Sequence, residues 1–424
     1  MLLMSLPPPD EEILGRLTGT RERYAHRTIL FCWLAYFVTY IGRYNYSACI
    51  TAIITETGVT RGEAGLVSSF FFFSYMIGQM INAFFSRRIN SSIYIGAALA
   101  LSAGINFCMP FADPASSMKV LWCLNGVVQS VLWPHVVKIL TEQLPEKRVA
   151  GGLVLMHTTG AAGSAGSYLI SASCLRWFSW RTAFFVPAFI LIGFVMVWFL
   201  VMPHISGVEG GASKTRAKTY KGGSQWLGIK TLVAGGVLFA ILAAIGNGFL
   251  RDGITTWLPN YIHDVFKMES ALAVFISVII PIATVSGAFF AKKLYSMVRN
   301  PFLTTAILYG VTFMLIVSLI LGLRHFLIPT CICFALCATM MTAVNTMLVS
   351  IIPLNFKAQG LTSMASGCIN STVYIGSIFS TSTFGILADH SGWNAVLYLI
   401  SAAALIAALF CLIQPLQVIK KKVY

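Results

Sequence analysis

The sequence predicts an all-α membrane protein, with twelve transmembrane helices in two pseudo-symmetric six-helix bundles around a central cavity. Three observations carry this. Of 424 residues, 57% are hydrophobic and only 10% charged, where a soluble domain carries about 25% charged residues. Apolar runs of the roughly 18 residues or more that a membrane helix needs recur along the whole chain, which argues against one large soluble core. The two halves also repeat weakly: Arg43 and Arg251 lie 208 positions apart, Arg148-Val-Ala-Gly and Lys357-Ala-Gln-Gly 209, and Trp180-Arg-Thr-Ala and Trp393-Asn-Ala-Val 213. Half-repeats around a site at mid-membrane are an architecture of transporters.

Each element follows from its run. Spans are expected near 28–53, 62–86, 92–112, 118–142, 149–174, 182–203, 231–258, 269–293, 302–323, 326–349, 358–386 and 393–415. Helices are required, because backbone groups in hydrocarbon must find partners within their own segment. The organisation expected is an N-terminal tail over 1–27, a first bundle over 28–203, a linker rich in Gly, Ser, Lys and Thr over 204–230, a second bundle over 231–415 and a C-terminal tail over 416–424. Residues 1–27 hold Pro7-Pro8-Pro9, three acids and four arginines in place of the apolar stretch of a cleavable signal.

Charge sets the expected orientation. The formal net charge is +15, and the basic residues sit between apolar segments, a pattern of membrane topology rather than of nucleic-acid binding. With the N-terminus inside, 21 of the 29 Lys and Arg fall in inner regions, six in outer loops and two within spans. Both termini are therefore expected in the cytoplasm; the membrane expected is a bacterial plasma membrane, a choice the charges do not make against an organelle. The ten cysteines lie mostly within spans without a CxxC pair and read as small apolar residues.

The two arginines inside spans carry the chemistry. An arginine in hydrocarbon costs from about 3 to over 10 kcal/mol, so Arg43 and Arg251, in equivalent spans, are expected to face a wet cavity. Their planar forks suit phosphate or carboxylate. A lipid-facing snorkel or an internal salt bridge is the bland alternative. Span 1 offers Arg43 no carboxylate. Asp252 follows Arg251 directly, but neighbours at i and i+1 are not expected to face each other on a helix. Tyr36, Tyr40 and Arg43 share one helix face at i, i+4 and i+7, as cavity lining or as part of an interfacial aromatic belt. Asp252, His135 and His157 are candidate proton-coupling groups, although a lone helical histidine more often serves packing.

The sequence holds no GxxxxGK[ST] loop, no metal-ligand spacing and no nucleophile elbow. No cofactor and no enzyme activity are expected. The expected partners are a small anion and the lipid bilayer, with no nucleic acid, and the protein is expected as a monomer.

These motifs resemble the organophosphate:phosphate antiporters of the major facilitator superfamily, the group of the bacterial glycerol-3-phosphate and hexose-phosphate exchangers. The resemblance rests on Tyr36-x3-Tyr40-x2-Arg43-x-Asn45, on Tyr75, on Gln129-x3-Trp133-Pro134-x3-Lys138, on Arg251-x-Gly253-Ile254-x2-Trp257-x-Pro259-x-Tyr261, and on Gly376, Gly385 and Asp389 to Trp393. It implies that Arg43 and Arg251 bind a phosphate group, with Tyr36, Tyr40, Tyr75, Trp133 and His157 around the substrate. It also implies that an organophosphate is exchanged for inorganic phosphate by alternating access. Four positions depart from that family's pattern: Gln79 replaces a lysine, Ala161 a histidine (with His157 one turn earlier), Gly248 a tyrosine and Asp252 an uncharged residue. The rival expectations are proton-coupled symport of a carboxylate or other small solute, and a transporter-like sensor of a sugar phosphate.

Overall fold

A computed structural model describes residues 11–85, 90–206, 237–356 and 361–423. Among these, every regular element is helical. The first half contains α1 (Glu11–Thr57), α2 (Arg61–Phe85), α3 (Ser91–Cys108), α4 (Ser117–Gln129), α5 (Leu132–Gln143), α6 (Glu146–Met156), α7 (Thr158–Trp177) and α8 (Thr182–Ser206). The second contains α9 (Val237–Phe266), α10 (Ser270–Ser277), α11 (Ile279–Thr284), α12 (Gly287–Val298), α13 (Pro301–Ile320), α14 (Leu327–Asn345) and α15 (Thr362–Val423). A π-helical turn, Thr346–Ile351, extends α14. The expected linker lies outside the described residues apart from its first three positions, as do Arg87, Arg88 and the stretch 357–360.

These pieces compose the twelve spans. Among the described residues, nine stretches are long and apolar enough to cross a membrane, and one of them, Met364–Ile413, holds the last two spans on either side of Gly392, where φ of +74° turns the chain. The two remaining spans are α1 and the α6–α7 pair, whose polar residues lower their hydropathy. Two expected ends differ. Helix α1 begins at Glu11, well inside the expected tail. Helix α9 runs on to Phe266 through Pro259, because a membrane helix tolerates proline where neighbours satisfy the freed backbone groups.

Packing fixes the halves. One core joins α1, α3, α5 and α8 around Leu99, Leu132, Leu191 and Trp198. A second runs through α9, α13, α14 and α15 and crosses to Ile50, Val67 and Trp122 of the first half. Large apolar side chains such as Phe189, Leu200, Phe289 and Leu321 point outward, as a lipid-facing surface requires. Helices α9 and α15 meet backbone to backbone. A Cβ on Gly248 would lie 1.8 Å from the Val373 carbonyl oxygen, and one on Gly376 1.9 Å from that of Ile245. Such small-residue contacts let membrane helices approach closely.

The halves are tied together at the end where α1 finishes and α2 begins. Arg61 donates to Asp264 at 2.7 Å and to Asp389 at 2.9 Å, and its Nε donates to Asn260 at 3.1 Å. The backbone N–H of Gly62 donates to Asp389 at 3.0 Å and Trp393 Nε1 donates to Asp264 at 2.9 Å. Arg176 pairs with Glu269 across the same end. The central cavity is thus closed on this side.

Candidate anion site between the two halves

The site is built around a break in α1. Gly42 leaves helical geometry (φ −84°, ψ 15°). Its carbonyl accepts side-chain amides from Asn106 at 3.1 Å, Asn125 at 3.2 Å and Gln129 at 3.3 Å. Side chains inserted into the helix ladder are an established cause of kinks. Asn106 also accepts from Asn45 Nδ2 at 2.8 Å. The break and its amides aim the next residue, Arg43.

Arg43 projects into a cleft between the halves. Arg43, Tyr44, Ser47, Ser68 and Trp122 line it from the first half, and Asp252, Thr255 and Thr256 from the second. The guanidinium carbon of Arg43 lies 4.3 Å from the ring centre of Tyr75, 4.8 Å from Phe71 and 5.7 Å from Tyr40. Cation–π contacts of this kind are worth roughly 0.5–2 kcal/mol each. They stabilise a cation without neutralising it or using its N–H groups. Among the described residues, no carboxylate pairs with Arg43.

Arg251 is differently placed. Its Nε and Nη2 donate to Asp252 Oδ1 and Oδ2, both at 2.8 Å, and Ser377 Oγ donates to Asp252 Oδ2. The expectation that Arg251 and Asp252 would not face each other is overturned. Successive residues point about 100° apart, but the long arginine stem curls around α9 to reach a carboxylate that α15 holds in place through Ser377. The Arg251 side chain keeps 27% of its accessible surface, against 4% for Asp252. Its Nη1 donates no hydrogen bond among the described residues. The two arginines therefore form an unequal pair.

The other expected residues fall along one line. From Tyr40, ring contacts run to Tyr36 at 5.2 Å, Trp133 at 5.4 Å and His157 at 5.6 Å. His157 sits at the α6–α7 junction, exposed, at the far end of this run from Arg43. His135 turns away into the first half, with Nδ1 3.0 Å from Ser91 Oγ and its ring against Tyr94. Tyr75 accepts from Gln79 Nε2 at 3.0 Å. Sequence reasoning missed Tyr44, Phe71, Tyr374 and Ser377. Tyr44 continues the i, i+4 series from Tyr36 and Tyr40, and Phe71 stands one turn before Tyr75, so helical spacing held a signal for both.

A central cavity with a half-buried cation, between two six-span halves, narrows the families this chain can join. The family description "Major Facilitator Superfamily" matches residues 32–366. This chain belongs to the Major Facilitator Superfamily. The chain is 27% identical over 178 residues to the membrane sensor protein UhpC of Salmonella typhimurium, covering 42% of this chain and 40% of that protein. It therefore spans about two fifths of the length of that curated relative. It is 23% identical over 434 residues to the phosphoglycerate transporter protein of the same organism, covering 95% and 90%. A probable hexose phosphate transport protein of Chlamydia pneumoniae is 20% identical over 194 residues, covering 45% and 43%. The resemblance to organophosphate-handling members, read from the motifs, is borne out by these relatives. Among solved structures, the nucleoside transporter NupG matches with a TM-score of 0.72 at 11% identity, covering 91% of this chain and 99% of that one. An inward-facing bacterial homologue of the human lysosomal transporter Spinster matches at 0.67 and 13%, covering 92% and 95%. These likenesses carry the fold alone.

Proposed function

We propose that this protein is a secondary transporter that moves a small organophosphate or phosphate-like anion across the membrane by alternating access, in exchange for inorganic phosphate. The observation that carries the reading is Arg43. A guanidinium held by aromatic faces, with its donor fork unspent and a cavity in front of it, is a receptor for an oxyanion. Arg251 adds its remaining donors from the opposite half, with Tyr36, Tyr40, Tyr75, Trp133 and His157 leading away from the pair. The role is carriage rather than catalysis. The two bundles, 28–203 and 231–415, rock about the site on the linker 204–230. The protein is an integral membrane protein, and we place it as a monomer in a bacterial plasma membrane with both termini in the cytoplasm. The Arg61 lock then closes the outer side.

The test is uptake of phosphate and phosphate esters into proteoliposomes. Arg43→Lys keeps the charge but loses the planar fork, and anion affinity should fall by about tenfold or more, the loss of one strong charge-assisted contact. Arg251→Lys should cost less, because part of that fork is already held by Asp252. Wild-type affinity in both variants would defeat the reading. The first relative's description as a membrane sensor supports a second reading, a receptor that binds a sugar phosphate without carrying it. Saturable binding with no counterflow would establish that alternative.

A further inference from the structure

The reading above leaves the charge of the cargo open, and the Arg251–Asp252 pair bears directly on it. Both oxygens of Asp252 accept hydrogen bonds from Arg251, and Oδ2 accepts a further one from Ser377. A carboxyl held by two nitrogens of one guanidinium fork is the ionised form, since that charge-assisted pairing favours the carboxylate. The side chain is 4% exposed and lines the cavity together with Arg43. Arg251 is thus neutralised in place by its own neighbour. Among the described residues, the charged groups that line the cavity are Arg43 and Asp252; counted with Arg251, which holds Asp252 from outside that lining, they carry a single positive charge.

We infer that Asp252 sets the valence of the cargo, so that the site accepts a singly charged oxyanion, such as a phosphodiester or the monoprotonated form of a phosphate monoester, in preference to a dianion. The inference rests on the anion-binding reading of the same site. A dianion entering this cavity meets one net positive charge and leaves one negative charge uncompensated in surroundings that solvate it poorly. It also faces the Asp252 carboxylate, and like charges brought together in a desolvated contact are strongly disfavoured. A monoanion balances the site. Arg43 offers it a whole donor fork, while Arg251 stays on Asp252.

The groups facing the Arg251–Asp252 pair are Arg43, Tyr40 and Tyr44 from α1 and Tyr374 and Ser377 from α15. A probe of constant charge reports any titration among them. Dimethyl phosphate is such a probe, being a monoanion across the working range. Methyl phosphate changes from monoanion to dianion near pH 6. Binding of each to the purified full-length protein, read as a ligand-dependent rise in melting temperature at pH 5.5 and pH 8, decides the matter. Wild type should bind dimethyl phosphate equally at both values and methyl phosphate about tenfold or more tightly at the lower pH. Asp252→Asn should reverse the order and favour methyl phosphate at pH 8, while Asp252→Glu should keep the wild-type order. Tighter wild-type binding of methyl phosphate at pH 8 overturns the proposal, and so does an Asn variant that retains the wild-type preference. If Asp252→Asn does not fold, the wild-type comparison decides alone. Failure of wild type to bind either probe at either pH removes the anion reading itself, which is a different result from binding with the wrong valence.

Discussion

The carbonyl oxygen of Gly42 accepts the side-chain amide of Asn106 at 3.1 Å, and with it α1 breaks one residue before Arg43. Asn125 and Gln129 reach the same oxygen. Asn106 is the member with further duties, since its amide also donates to Ser102 O at 2.9 Å and its oxygen accepts from Asn45. Asn106→Ala leaves one N–H of the buried Asn45 amide unpaired, the other still donating to Ala183 O at 3.1 Å, and loosens the break. Leaving a buried polar group unpaired costs about 1–3 kcal/mol. The variant should melt lower in detergent and bind anions more weakly, because Arg43 is no longer aimed. A variant with wild-type melting and wild-type affinity would show that the break is held by other means.

Tyr75 and Arg43 give a second prediction. The ring face lies 4.3 Å from the guanidinium carbon, and the hydroxyl accepts from Gln79. If the face is what serves the cation, Tyr75→Phe should leave anion affinity within about twofold, while Tyr75→Ala should lower it by roughly fivefold, the worth of about 1 kcal/mol of cation–π contact. Equal losses in both variants, measured by competition in proteoliposomes, would instead assign the effect to the hydroxyl.

What could be read from the sequence divides along physical lines. The spans were legible because an apolar run has no other stable home, and both arginines because a charge in hydrocarbon demands a reason. The seventh span runs eight residues past its expected end at 258, because the polar residues beyond Pro259 are satisfied by packing that an apolar run does not reveal. The Arg251–Asp252 contact was misread because helix-face geometry describes where Cβ atoms point, not where a long side chain ends. Tyr374 and Ser377 carried no signal, since a tyrosine and a serine within a span are ordinary until packing sets them beside a charge. The partners of Arg61 were equally hidden, being 203 and 328 residues away.

Gly248 stands where the resembled family carries a tyrosine, and the structure gives the reason for the departure. A Cβ there would sit 1.8 Å from the Val373 carbonyl oxygen and 2.7 Å from its carbon. The obstacle is backbone, which cannot swing aside as a side chain can. Gly248→Ala should force α9 and α15 apart and cost about 1–3 kcal/mol or more, and Gly248→Tyr should abolish folded protein. Gly310, with nothing within 4 Å of its ideal Cβ, is the control, and Gly310→Ala should change the melting temperature little. Size-exclusion profiles and melting curves of the three variants check this, and a well-folded Gly248→Tyr protein would contradict the close approach of the two helices.

Arg61 gives the last prediction, which concerns motion. Its side chain keeps 27% of its surface, and its partners Asp264 and Asp389 keep 17% and 22%. A single exposed ion pair contributes about 0–1 kcal/mol, and the Arg176–Glu269 pair, at 62% and 56% exposure, belongs to that class. Arg61 differs because one guanidinium serves two carboxylates and Asn260. Its removal takes the shared guanidinium from Asp264 and Asp389, leaving Asp264 with His263 Nδ1 at 3.0 Å and Trp393 Nε1 at 2.9 Å. Arg61→Ala should therefore shift the equilibrium toward opening at this end by about 1–3 kcal/mol, or roughly 5- to 150-fold, while Arg176→Ala should shift it by less than about fivefold. Distances between spin labels at the start of α2 and the end of α9 report the change directly. Arg61→Ala should raise the long-distance population, and Arg61→Lys, which keeps the charge but not the fork, should fall between that variant and wild type. Identical distance distributions in wild type and Arg61→Ala would mean that the apolar contacts around Ile50, Val67 and Trp122 close this end unaided.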